Sequence, residues 1–225
     1  MKTRLIYLEN VCQLDGKAQI IDIISGTDGQ KIVLDQTVFY PQGGGQPSDK
    51  GTISNDNASF DVQHVILDEG IAYHSGSFKH GHFSKGEQVE LHVDLGLRNL
   101  HNKNHTAGHL IDYALTNLGY SLAAGKAYHF PQGPYVEYQR TLEQHEREQL
   151  QRNLESEVNR LIQEELPVTI TLLDNDPLKR VMLVNSYPPI LCGGTHVLNT
   201  RDIGQVIIRK IKNEKGNLRV SYAVL

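Results

Sequence analysis

Hydrophobic and polar positions alternate through much of residues 1–95 and change to a helical period beyond them. The runs AQIIDII and KIVLDQTVF predict strands over Lys17–Ser25 and Lys31–Tyr40, with the turn signal Gly26-Thr27-Asp28-Gly29 between them. Gly51–Ser54, Ser59–Leu67, Ile71–Ser77 and Gln88–Asp94 read as further short strands, parted by Gly, Asn and Asp. That spacing predicts a small barrel or sandwich. Past residue 95, Leu97, Leu100, Ala107, Leu110, Ile111, Ala114, Leu115 and Leu118 share one stripe of a helix that stops at Gly119. A second helix is expected over Thr141 to Glu165, opened by a capping box at Thr141 and Gln144 and ended by Pro167. Leu150, Leu154, Val158, Leu161 and Ile162 form its apolar face, and its charged face reads as solvated. Strands follow at Val168–Leu173, Arg180–Val184 and Gln205–Lys212, and Arg219–Val224 is expected to close the sheet. The fold class is therefore α+β: a small β-barrel-like domain over 1–95 and an α+β domain over 96–225.

Composition narrows the class. A chain of 225 residues buries a core without staples, and two cysteines, Cys12 and Cys192, make no disulfide scaffold. No run approaches the ~20 apolar residues of a membrane helix. Met1 to Asn10 lacks the apolar stretch of a signal peptide. A soluble cytoplasmic protein with no membrane partner is expected, and the oligomeric state is open. Charge is uneven: residues 1–95 hold 7 Lys/Arg against 13 Asp/Glu, and residues 96–225 hold 15 against 13. If the protein binds nucleic acid, the basic segment 201–219, with Arg209, Lys210 and Lys212, should carry phosphate contacts. The alternative is a strand edge protected by lysines.

The strongest chemical signal is His105-Thr106-Ala107-Gly108-His109. Histidines at i and i+4 lie one above the other on a helix and can share a metal ion. On the helical wheel they point away from the apolar stripe. Cys192-Gly193-Gly194-Thr195-His196 repeats the four-residue spacing in a loop. His105, His109, Cys192 and His196 together make a tetrahedral zinc set. His101 extends the row, but two turns of helix rise ~12 Å, so it falls outside the ligand set, solvated or on the substrate side. Thr106 stands where a zinc peptidase helix carries its glutamate base, which disfavours peptidase chemistry. The remaining histidines, His74 and His129 among them, show no ligand spacing with each other beyond His80-x-His82 and read as ordinary.

The HTAGH and CGGTH motifs, in this order, resemble the second additional domain of alanyl-tRNA synthetase, shared with threonyl-tRNA synthetase and with freestanding alanyl-tRNA editing proteins of the AlaX type. Leu34–Pro41 followed by Gly43-Gly44-Gly45-Gln46 resembles the family's glycine-rich motif, and Thr200, Ile203-Gly204 and Gly216–Val220 continue the likeness. The resemblance implies a glycine-rich β domain ahead of a zinc-holding editing domain, and hydrolysis of serine or glycine from alanine tRNA. It implies metal binding at His105, His109, Cys192 and His196. Thr37 and Gln46 are implied as catalytic positions facing the substrate, beside the loop Gly43, Gly44 and Gly45. The length leaves no room for a class II catalytic domain beside these two, and the chain resembles the medium-length freestanding form.

Such a hydrolase needs a placed water, oxyanion donors and a pocket that rejects alanine. The N–H groups of Gly43–Gly45 suit an oxyanion or a phosphate, and the same three glycines suit a tight turn. Thr37 is the candidate reader of a serine hydroxyl, with Thr106 and the metal as alternatives. Two other readings stay open: a tRNA-binding module with a structural zinc, and a metal-dependent hydrolase of a small ester or amide.

Overall fold

A computed structural model describes residues 2–26, 29–173 and 180–225; Thr27 and Asp28 of the expected turn lie outside the described residues. The chain divides into two compact units, Met1–Gly43 with Pro47–Asn99, and Gly44–Gln46 with Leu100–Leu225. The expected boundary at 95/96 falls at the start of the first helix, Leu95–Asn117, and the first unit ends four residues later, at Asn99.

The first unit contains β1 (Arg4–Leu5), β2 (Asp15–Gly26), β3 (Gly29–Leu34), β4 (Gln36–Thr37), β5 (Gly51–Ser54), β6 (Ser59–Asp68), β7 (Ile71–His80) and β8 (Gln88–Val93). Strands β2-β3-β7-β6-β5-β8 form a closed barrel. Alternation fills it: in β8, Val89, Leu91 and Val93 are buried and the residues between them exposed. They meet Ile20, Ile32, Ile53, Phe60 and Val65 inside. The expected strand Lys31–Tyr40 is broken at Asp35. The Asp35 carboxylate accepts the N–H groups of Gln19 and Gln36, both at 2.8 Å, and so replaces a ladder partner. β4 then pairs in parallel with β1.

A buried ion pair closes the loop that follows. Arg98 donates through Nε to Asp49 Oδ1 at 2.9 Å and through its other nitrogens to the carbonyls of Val38 and Val11. Asp49 accepts the Tyr40 N–H at 2.6 Å, and its own N–H returns to Tyr40 O at 3.0 Å. Nothing in the local sequence spacing marks this pair.

The second unit takes most of α1 (Leu95–Asn117), then β9 (Ala124–Tyr128), β10 (Tyr135–Tyr138), α2 (Gln144–Gln163), β11 (Val168–Leu172), β12 (Arg180–Val184), β13 (Ile190–Leu191), β14 (Val206–Glu214) and β15 (Asn217–Val224). α1 ends as Gly119 predicts: the N–H groups of Gly119 and Tyr120 return to the carbonyls of Thr116 and Leu115. α2 buries the five apolar residues read from its period. Its capping box lies two residues later than Thr141 and Gln144: Glu146 accepts the Glu143 N–H at 2.8 Å. The residue before the cap, Leu142, is buried, and its carbonyl and N–H are tied to Asn213, so the chain enters the helix later.

Two sheets complete the unit, ordered β14-β15-β10-β9 and β11-β12-β13. Arg219–Val224 therefore does not close its sheet. It lies inside, paired with β14 and with β10. β9 and β10 were not expected, because Pro131, Gly133 and Pro134 lie between two very short runs. Among the described residues no helix is long and apolar enough to cross a membrane.

Candidate metal centre

α1 is buried on more than its apolar stripe. His101, Asn102, Asn104, His105 and Thr106 are buried along with Ala107, Leu110 and Ile111. The wheel left the histidine face free, but in the folded unit Gln46, His129 and the loop after β13 cover it. His101 is 5% exposed, which removes the solvated reading of this residue.

His105 and His109 from α1 meet Cys192 and His196 from the loop after β13, with one ligand atom of each within 4.8 Å of the others. Cys192 Sγ lies 3.3 Å from His105 Nε2 and 3.3 Å from His196 Nε2. A tetrahedron with the bond lengths usual for zinc, about 2.3 Å to sulfur and about 2.0 Å to nitrogen, has edges near ~3.5 Å. Gly194 allows the approach: a Cβ there would stand 2.2 Å from His105 Cε1 and 2.9 Å from Gln46 Oε1.

The hydrogen-bond network sets the tautomer of all three imidazoles. Gln46 Oε1 accepts the Thr195 N–H at 3.1 Å, so His105 Nδ1, 2.7 Å away, must donate to it. Thr106 gives its hydroxyl proton to Asn102 O at 2.8 Å and accepts from Val197 N–H. His196 Nδ1, 3.2 Å from that hydroxyl, is thus a donor. His109 Nδ1 faces the Asp112 carboxylate at 3.4 Å, and Asp112 accepts from the Tyr138 hydroxyl at 2.6 Å. Each Nε2 is thereby turned toward the cluster: those of His105 and His196 meet the Cys192 sulfur, and His109 Nε2 is buried without a hydrogen-bond partner. Three buried ring nitrogens turned on one thiol, each ring fixed from behind through its Nδ1, make a donor set that a metal ion can take up on displacing their protons. Burial alone would raise the Cys192 thiol, but the three imidazoles outweigh it and hold the sulfur well below its usual range. Burial holds His105 low, and it takes His196 down to about 3.

Sequence reasoning missed several parts of this arrangement. His129 was set aside as ordinary, yet its ring stacks on His105 with centroids 4.4 Å apart. Tyr222 donates to Asn104 O at 2.8 Å, so it accepts from His129 Nδ1 at 2.8 Å. Gly108 makes room, since a Cβ there would stand 2.5 Å from His129 Cε1. Asp112 was also missed, although its i+3 spacing from His109 is a signal that could have found it. Thr106 is removed as a reader of substrate, because its hydroxyl donates to Asn102 O and accepts from both Val197 N–H and His196 Nδ1, which leaves no lone pair free. Gln46 is fully buried, with its Nε2 donating to Thr195 Oγ1 at 2.8 Å.

Thr37 belongs to the first unit and is also fully buried. Its hydroxyl accepts the Phe39 N–H at 3.1 Å and faces His74 Nε2 at 2.8 Å. His74 Nδ1 donates to Ile32 O at 3.0 Å, so Nε2 receives the Thr37 proton. In the glycine loop, Tyr40 donates to Gly43 O at 3.0 Å and the His129 N–H to Gly45 O at 2.8 Å, while Gly44 and Gly45 have φ of 56° and 78°. Lys210 and Lys212 lie on one face of β14, and Arg209 sits at the bulge between Ile208 and Lys210.

Residues 3–96 match the family described as tRNA synthetases class II (A), and residues 181–221 match the threonyl and alanyl tRNA synthetase second additional domain. The chain is 30% identical to the alanyl-tRNA editing protein AlaX-L of Pyrococcus horikoshii over 96% of its own length and 57% of that protein. It is 29% identical to the alanine–tRNA ligase of Methanothrix thermoacetophila over 99% of the chain and 26% of the ligase. The figures for the ligase of Prochlorococcus marinus are 32%, 84% and 23%. The likeness read from the two motifs thus extends across the chain, which spans just over half of the editing protein and about a quarter of each ligase.

Proposed function

We propose, from a likeness to alanyl-tRNA editing proteins that runs through nearly the whole chain, that this protein hydrolyses the ester of mischarged alanine tRNA, with serine or glycine as the wrongly attached residue. The observation that carries the reading is the convergence of the Cys192 thiol and the Nε2 atoms of His105, His109 and His196 within 4.8 Å of one another. That donor set suits Zn2+. When bound, the ion supplies a Lewis acid for the ester or a hold on the substrate's amino or hydroxyl group.

The chain's own residues do the rest. Gln46, Thr106 and Asp112 hold the three imidazoles in their ligating tautomers. The N–H groups of Gly43, Gly44 and Gly45 serve as oxyanion or phosphate donors. Thr37, whose proton is given to His74, meets a serine hydroxyl as an acceptor. Arg209, Lys210 and Lys212 contact tRNA phosphates. Residues 96–225 act as the editing domain behind a glycine-rich domain over 1–95, and the setting is the cytoplasm, where charged tRNA is used.

A second reading, a tRNA-binding module whose zinc is structural, is favoured by one observation: four protein ligands leave no open position in a tetrahedral site. Deacylation of Ser-, Gly- and Ala-charged alanine tRNA, with metal content measured on the same preparation, separates the two. The hydrolase reading expects loss of the Ser or Gly ester with the Ala ester retained. Zinc-loaded protein that binds the tRNA and hydrolyses none of the three is the binding module.

A further inference from the structure

The sheet β14-β15-β10-β9 turns Ile211, Leu218, Val220, Val136 and Tyr138 into the core. Side chains alternate across a strand, so the neighbouring positions share the other face. Register aligns them: Lys210 is opposite Ser221, Ser221 opposite Tyr135, and Tyr135 opposite Tyr128. In the adjacent row Lys212 is opposite Arg219, and Arg219 opposite Glu137.

On that face the rings form a column. Tyr128 stacks on Phe130 with centroids 4.4 Å apart and planes 9° apart. Tyr135 follows at 5.5 Å and 19°, and the Arg219 guanidinium lies 4.0 Å from the Tyr135 centroid. The column is closed at Arg219, which is tied to Glu137 and Glu214. At the other end Phe130 has no second ring or cation partner among the described residues. All three rings are half-buried, and Lys126 and Lys210 beside them are exposed, with no ion pair among the described residues. Fixed rings standing on a sheet among uncommitted cations have a chemical complement: a flat aromatic base joined to a phosphate. Four-stranded sheets with this equipment stack unpaired bases, which need a π-face and a cationic track but no particular sequence.

We infer that this face binds unpaired nucleotides of an RNA strand, one base extending the column on Phe130 and the phosphates lying over Lys126 and Lys210. The inference rests on the RNA-directed reading above and assigns it a surface. Binding of a short dye-labelled single-stranded RNA to the full chain, followed by fluorescence anisotropy over a salt series, tests it. A blunt RNA duplex of the same strand length is the comparison. Phe130→Leu keeps apolar bulk and removes the ring, and should weaken single-strand binding by about 5- to 160-fold with the salt slope unchanged, stacking being worth ~1–3 kcal/mol per base. Phe130→Tyr should bind like the parent. Lys126→Gln with Lys210→Gln should flatten the salt slope by about 1.4 for two lost phosphate contacts. Failure of the parent to bind the single strand overturns the inference. So does Phe130→Leu binding like the parent, or losing single strand and duplex equally. Deacylation on the same preparations keeps the two readings apart: RNA bound through Phe130 without hydrolysis rejects only the hydrolase, and hydrolysis with an indifferent Phe130 rejects only the stacking site.

Discussion

Each imidazole of the cluster presents Nε2 because its Nδ1 is already engaged, by an amide for His105, a hydroxyl for His196 and a carboxylate for His109. The carboxylate is the strongest of these, since an anion behind the ring raises the basicity of the nitrogen in front. Burial acts to lower His109, but Asp112 and the Cys192 sulfur outweigh it and lift the group to about 9. Asp112→Asn keeps the shape and removes the charge. It should weaken zinc binding by about 10- to 100-fold, read by competition with a chromogenic chelator. An unchanged affinity would show that Asp112 serves Tyr138 alone.

Among the elements, the barrel strands β3 and β7 carry their own acid-sensitive group. His74 on β7 is fully buried, and it faces the Thr37 hydroxyl, the Ile32 carbonyl and the Phe39 ring. Burial takes its pKa down to about 4, against the Ile32 hydrogen bond, which acts to raise it. The folded state therefore holds fewer protons than the unfolded state between about pH 6.5 and about pH 4. The stability that His74 contributes is complete above that window and is lost as pH falls through it. Between pH 6.5 and 4.5 this amounts to about 2 kcal/mol in urea unfolding, and His74→Gln should show that much less acid sensitivity. Equal acid sensitivity in parent and variant would remove His74 as the cause.

At the scale of the whole molecule, the metal centre joins α1 to the loop after β13, segments far apart in sequence. A ligand that binds only the folded chain stabilises it by mass action. Stripping the metal with a chelator should therefore lower Tm on the order of 10 °C, with recovery on adding Zn2+ back. A Tm indifferent to chelator and to zinc would mean that the four side chains hold no ion.

The sequence by itself determined the elements with a strong period, among them the barrel strands and the apolar faces of α1 and α2, and it determined the four candidate ligands. Those are local properties: alternation, a 3.6-residue stripe and paired i, i+4 spacing all read along the chain. It also carried the likeness to alanyl-tRNA editing proteins, because two unusual motifs in order are rarely met by chance. Only the tertiary structure decided which nitrogen of each imidazole faces the cluster, since Gln46, Thr106 and Asp112 act through space. Only it buried the histidine face of α1, which a helical wheel shows as exposed because the wheel has no neighbours. The same holds for His129 on His105, for Arg98 on Asp49 and for the ring column ending at Phe130. In each of these the partners lie on different segments, and register and packing, not spacing along the chain, bring them together.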